Sequence, residues 1–291
     1  METKSPQLID GKAIAERIQT AVLEQARDLR SRGLEPHLAA LQAGGDAAMD
    51  LYIQKQKERF AKLGICYSHV HEPGEATLER LLDRLRELNS SREVTGILVM
   101  QPLPQGISAR ALEEAIAPEK DVEGVSPINL GLLVQNRHRV APCTALGAFA
   151  AIEATGVDIT GKRAVVVGRS NIVGKPAGLL LLHAGATVTT CHTRTRSLAE
   201  ETRRAEILVA AAGKPGLIQG DMVSPGAIVI DVGIHRIEGP PPRTVGDVDF
   251  PSVAQKTSWI TPVPGGVGPI TVAMLARNTI ECARGQLGLR G

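Results

Sequence analysis

Apolar positions along the chain fall into two alternating periods. Ile14, Ile18, Val22 and Ala26 recur every four residues and predict a helix over residues 11–32, stopped at Gly33. Leu38 to Gln42 is a short apolar run, and a turn is expected at Gly44-Gly45-Asp46. A second helix is predicted over 47–63, a strand over Cys66 to Val70, a strongly periodic helix over Leu78 to Leu88, and a buried strand over Gly96 to Met100 that Pro102 and Pro104 stop. The pattern resumes after residue 141. Ala145 to Glu153 reads as a helix, 164–167 as a strand, Val173 to His183 as a helix, and 186–190, 207–210 and 227–230 as strands. A last helix is predicted from Pro269, a good first-turn residue, to about Arg284. Strands alternating with helices predict an α/β protein with parallel sheets. Gly239-Pro240-Pro241-Pro242 reads as a stiff local loop rather than a linker, and no internal repeat interrupts the pattern.

Composition narrows the function. The 291 residues suggest two domains or one large one. Lys and Arg total 33 against 31 Asp and Glu, a net charge of +2, and only 2% of residues are aromatic. Neither a broad nucleic-acid surface nor a stacking platform for single strands is expected. No run reaches the ~20 apolar residues that span a bilayer. The opening Met1 to Pro6 has no apolar core of a secretory signal, so the cytoplasm is the expected compartment. Cys66, Cys143, Cys191 and Cys282 show no metal-ligand spacing, and no metal site is expected.

Three stretches carry candidate chemistry. Val167-Gly168-Arg169-Ser170-Asn171-Ile172-Val173-Gly174 joins an apolar strand to a helix, where backbone N–H groups and the helix dipole favour a phosphate. The next strand ends near Cys191, ~20 residues on, where an NAD site usually carries an acid for the ribose hydroxyl. Here Thr193 and Arg194 stand instead, with no acid before Glu200. Hydroxyls and arginines suit a 2′-phosphate, so NADP is expected, with Arg169 as a second cation; Arg196 reads as solvated. The third stretch, Thr261 to Thr271, is a stiff loop almost without side chains, whose Gly265, Gly266, Gly268 and Pro269 suit close approach to a flat ligand.

Taken together, nine segments in order resemble the bifunctional methylenetetrahydrofolate dehydrogenase/methenyltetrahydrofolate cyclohydrolase family. They are Asp10-Gly11-Lys12, Gly96 to Val99, Lys120-Asp121-Val122, Pro142-Cys143-Thr144, Gly168 to Gly174, Gly213-Lys214-Pro215, Asp231 to Ile234, Val245 to Val248, and the Pro262 to Thr271 loop. The resemblance implies two α/β domains around a cleft: residues 1–140 plus 270–291 for folate, and a Rossmann-type NADP domain over 141–269. It implies a homodimer, small-molecule ligands, NADP contacts at Gly168, Arg169, Ser170, Ile172, Val173, Thr193, Arg194 and Ile234, and substrate contacts at Tyr52, Glu123 and the glycine loop. It implies oxidation of 5,10-methylenetetrahydrofolate by hydride transfer, and hydrolysis of the methenyl product to 10-formyltetrahydrofolate.

The chain departs from the family at the folate end. The pattern Tyr-x-x-x-Lys is met by Tyr52 but ends on Gln56; Lys55 and Lys57 each lie ~100° round the helix. Met100 takes the place of a glutamine, with Gln101 beside it on the opposite strand face unless a bulge turns it. Glu123 replaces an aspartate. Glutamine cannot titrate, so hydrolysis is expected to suffer more than hydride transfer. Two other readings stand beside this one: a divergent paralogue using the one-carbon unit in another transfer or condensation, and a folate- or NADP-binding protein without catalysis.

Overall fold

The computed structural model describes residues 6–45 and 47–289. Asp46, the last residue of the expected 44–46 turn, lies outside the described residues. The first part of the chain runs β1 (Gln7–Leu8), α1 (Gly11–Ser31), β2 (His37–Ala43), α2 (Ala47–Lys62), β3 (Cys66–Glu72), α3 (Leu78–Ser90), β4 (Gly96–Val99), α4 (Ala109–Ala115) and α5 (Pro127–Val134). The remainder runs α6 (Cys143–Glu153), β5 (Arg163–Val167), α7 (Gly174–His183), β6 (Thr187–Cys191), α8 (Leu198–Thr202), β7 (Ile207–Ala210), β8 (Ile228–Asp231), β9 (His235–Ile237), β10 (Arg243–Val245), α9 (Phe250–Ala254), β11 (Trp259–Ile260) and α10 (Val267–Gln286).

These elements form two compact units, and both are discontinuous in sequence. One joins Arg17–Ala141 to the chain from Leu275 onward; the other joins the chain through Glu16 to Pro142–Met274. The first holds a parallel sheet in the order β3-β2-β4. Alternation along its strands makes two different faces. Ala39, Leu41, Ile97 and Val99 pack against Leu81, Leu85 and Leu88, the apolar stripe of α3, with Leu112 of α4. The opposite face carries Tyr67, His69 and Gln42, and α2 covers it, with Phe60 and Tyr67 rings 5.8 Å apart. Thr77 caps α3 by accepting the Arg80 N–H at 3.3 Å. The carboxyl-terminal half of α10 belongs here: Asn278 Nδ2 donates to the carbonyls of Val122 at 2.8 Å and Ala141 at 2.9 Å.

The second unit holds a six-stranded parallel sheet, β1-β11-β8-β7-β5-β6. Its core includes Val165, Val167, Leu208, Ala210, Val229 and Ile260, all buried. The short apolar runs at 164–167, 207–210 and 227–230 are thus central strands covered on both sides. The stiff proline loop proves to be the tip of a hairpin, with β9 and β10 paired antiparallel on either side of it. Polar flanks and three-residue strands gave it no period to read. The last helix begins at Val267, two residues ahead of Pro269. Among the described residues no helix is long and apolar enough to cross a membrane.

Candidate functional site

In the first unit Met100 stands at the carboxyl end of β4, the end at which open α/β sheets bind ligands. Tyr52 stands on α2, half exposed, and Gln56 one turn on is buried at 4%. Lys55 and Lys57 are both exposed, as their helix angles require. Met100 follows β4 directly; its N–H donates to the Leu41 carbonyl at 2.8 Å and its side chain is buried. Gln101 is exposed, so no bulge turns it to the buried side. A parallel bridge between Ile97 and Asp121 lays the next segment along β4 and carries Glu123 toward the same strand end.

That segment sorts its charges by task. Lys120 Nζ donates to the carbonyls of Leu88, Asn89 and Ser91 at 3.1, 2.7 and 2.6 Å, satisfying acceptors at the end of α3. Asp121, fully buried, accepts from the N–H groups of Gly124 and Ser126 at 2.9 and 2.8 Å and from Asn129 Nδ2 at 2.9 Å. Both are committed to the fold. Glu123 is the remaining charge, and burial, with Asp121 and Glu113 nearby, pushes its carboxyl up to about 7. Gln56 has a partner that motif reading missed: the Tyr67 hydroxyl donates to its Oε1 at 2.7 Å. No sequence signal pointed to it; the pairing register sets Tyr67 of β3 beside Leu38 on the face under α2.

The second unit holds the nucleotide-type turn. Between β5 and α7 the chain passes Gly168, at φ +132°, and a side chain there would strike the Ala211 carbonyl. One at Gly174 would strike the carbonyl of Gly168. Beside this turn lies a pocket of about 470 Å³ lined by Arg169, Ser170, His192, Thr193, Thr195 and Lys214 among others. Gly168, Arg169, Ser170 and Thr193 are thus brought together as expected. Arg194, Ile172, Val173 and Ile234 do not line the pocket; Ile172 and Ile234 are 52% and 70% exposed. The backbone N–H groups of Val173 and Gly174, expected to face a phosphate, are taken by Ser170 Oγ at 3.1 and 3.4 Å, a local cap at the helix start. Two residues enter that spacing did not single out, His192 and Lys214. The Arg194 N–H donates to His192 Nδ1 at 3.1 Å, which leaves the ring proton on Nε2.

Further groups of the matched segments have partners within the fold. Asp231 accepts from the N–H groups of Gly233, Asp247 and Val248 at 2.9 to 3.0 Å, while burial pushes its carboxyl up to about 6. Asp247 takes His235 Nε2 at 2.7 Å and the Ala212 and Gly213 N–H groups at 2.6 and 2.9 Å. Cys143 is buried at the start of α6. In the glycine loop, the Gly265 carbonyl accepts from Gly11 N–H at 3.1 Å, Gly266 is buried, and Gly268 and Pro269 sit in the first turn of α10.

Comparison with known proteins decides the lineage. The catalytic domain of tetrahydrofolate dehydrogenase/cyclohydrolase matches residues 9–123, and the NAD(P)-binding domain of the same enzymes matches residues 142–287. The chain belongs to the tetrahydrofolate dehydrogenase/cyclohydrolase family. It is 50% identical over 279 residues to the bifunctional protein FolD of Moorella thermoacetica, covering 96% of this chain and 99% of that one. The FolD crystal structure from Campylobacter jejuni superposes with a TM-score of 0.92 at 42% identity, covering 97% of this chain and all of that one. FolD of Trypanosoma brucei, solved with NADP and an inhibitor, gives 0.89 at 36% identity, covering 98% and 99%. The two matched stretches leave residues 124–141 between them, and the second begins at Pro142.

Proposed function

We propose that this family member is an NADP-dependent 5,10-methylenetetrahydrofolate dehydrogenase whose cyclohydrolase step is weakened or lost. The observation that carries the reading is the state of position 56: a buried amide tied to Tyr67, with both neighbouring lysines exposed and Lys120 locked on three carbonyls. No lysine ammonium at these positions is placed to move a proton in the pocket.

The nucleotide pocket fits NADP. Its glycine turn lets backbone close in, and Arg169, Ser170, Thr193, His192 and Lys214 give it cations and donors for a 2′-phosphate. Bound NADP supplies the hydride acceptor. The chain's own part in oxidation would be positioning: Tyr52 and Glu123 would hold the folate ring, an ionised Glu123 accepting its N–H groups. Hydrolysis asks for more, since water must lose a proton and the tetrahedral adduct must gain one. Gln56 and Met100 do neither, and loss of such a group lowers a rate by ~10²–10⁴-fold. The protein functions as a homodimer on this reading, as the resemblance implies.

The test is spectrophotometric. Purified protein with NADP should oxidise methylenetetrahydrofolate, and should hydrolyse methenyltetrahydrofolate no faster than buffer does. Gln56→Lys together with Met100→Gln should restore measurable hydrolysis, because a lysine needs a polar neighbour to be held there. Rapid hydrolysis by the unaltered protein would refute the reading.

A further inference from the structure

Gln56 is held by a residue outside every motif matched above. Tyr67 lies on β3, the edge strand of the three-stranded sheet, on the face that α2 covers. Its ring meets Phe60 edge-on at 5.8 Å, and its hydroxyl donates to Gln56 Oε1 at 2.7 Å. Burial pushes the phenol well above its ordinary range, so the hydroxyl keeps its proton and stays a donor. A carboxamide whose oxygen is committed in this way has a defined orientation, with its oxygen toward β3 and its NH₂ directed elsewhere. One turn earlier on the same helix stands Tyr52.

We infer that Tyr67 is a positioning residue of the folate pocket, locking the Gln56 carboxamide so that position 56 offers the substrate a fixed, neutral N–H donor. This rests on the altered-pocket reading and adds to it a second residue and a direction. An unanchored amide presents oxygen or nitrogen alike; here the hydroxyl donates to Oε1, and the nitrogen is the end left for a ligand. A fixed neutral donor suits the ring acceptors of a reduced pterin and supports hydride transfer by placement, without taking part in proton movement. It also makes position 56 specific for ligands with an acceptor at that point, because a ligand lacking one leaves the N–H unpaired.

A double-mutant cycle read on the dehydrogenase reaction tests the coupling. Tyr67→Phe should raise KM for methylenetetrahydrofolate about 3–10-fold, more than it lowers kcat, as loss of one positioning hydrogen bond implies. The increase should vanish when the same change is made in a Gln56→Ala background. An unchanged KM would overturn the assignment, as would an increase that persists without Gln56, the mark of a purely structural role. Should Tyr67→Phe fail to fold, Gln56→Asn keeps the amide but draws it back by one methylene. It should raise KM over the same range, and an unaltered KM would again overturn the assignment. Hydrolysis by the parent protein is read separately. Vigorous turnover there sinks the altered-pocket reading and leaves the coupling standing; loss of coupling sinks only the role of Tyr67.

Discussion

Glu123, unlike Asp121 two residues before it, is not held by the hydrogen bonds of the fold, and its environment makes it sensitive to pH near neutrality. Burial is the larger cause, and the negative charges of Asp121 and Glu113 add to it. The sign follows from the raised carboxyl. Below about 7 the group is protonated and offers a pterin ring one acceptor fewer; above it the carboxylate takes two N–H bonds. KM for methylenetetrahydrofolate should therefore fall as pH rises from about 6 to 8, and Glu123→Gln should flatten that profile. The fold pays in the opposite sense. Stability from this group is full below the ordinary carboxylate range and is lost as pH rises through 7, so Glu123→Gln should raise Tm more at pH 8 than at pH 5. A parent KM profile that is level across neutrality would refute the assignment.

At the scale of elements, the strand–turn–helix around Gly168 separates two arginines that the sequence presents as equals. Arg169 lines the pocket; the Arg194 side chain does not, and its backbone N–H serves to set the His192 ring. Arg169→Ala should weaken NADP more than NAD by about 1–3 kcal/mol, as loss of a charge-assisted bond does. Arg194→Ala should do less, and titration calorimetry with both nucleotides checks the order. The same element shows what periodicity could and could not convey. The apolar strands and long amphipathic helices were legible, because burial of one face or both writes itself into spacing. Gln101 turning outward beside buried Met100 agrees with strand alternation, although the whole run from Val94 to Met100 is buried. The Ser170 cap, the His192 tautomer and the Tyr67–Gln56 bond were not legible, since each depends on a side chain's reach across a turn or between elements. The β9–β10 hairpin was missed for a different reason: three-residue strands are too short to show a period.

For the whole molecule, the discontinuous units make residues far apart in sequence answer to one site. Asn278, on the last helix, donates to carbonyls on either side of the segment that bears Glu123 and ends at Ala141. Asn278→Ala should cost about 1–2 kcal/mol by leaving two buried acceptors without this donor. It should raise KM for folate while leaving NADP affinity in place, because Asn278 belongs to the other unit. Thermal melts and calorimetry read both effects, and an equal loss of the two ligands would contradict that division. The split has a further consequence, for biosynthesis. A polypeptide emerges from the ribosome amino end first, and domains generally fold as they appear. Here the unit begun at Arg17 lacks its share of α10 until the chain beyond Leu275 is made, and the other unit cannot join β1 to the rest of its sheet until β11 emerges to sit between β1 and β8. Neither can close behind the ribosome as a finished body. Both units therefore wait on segments made late in their own stretch of chain, and the order of synthesis, rather than the order of strands in the sheets, sets when each closes.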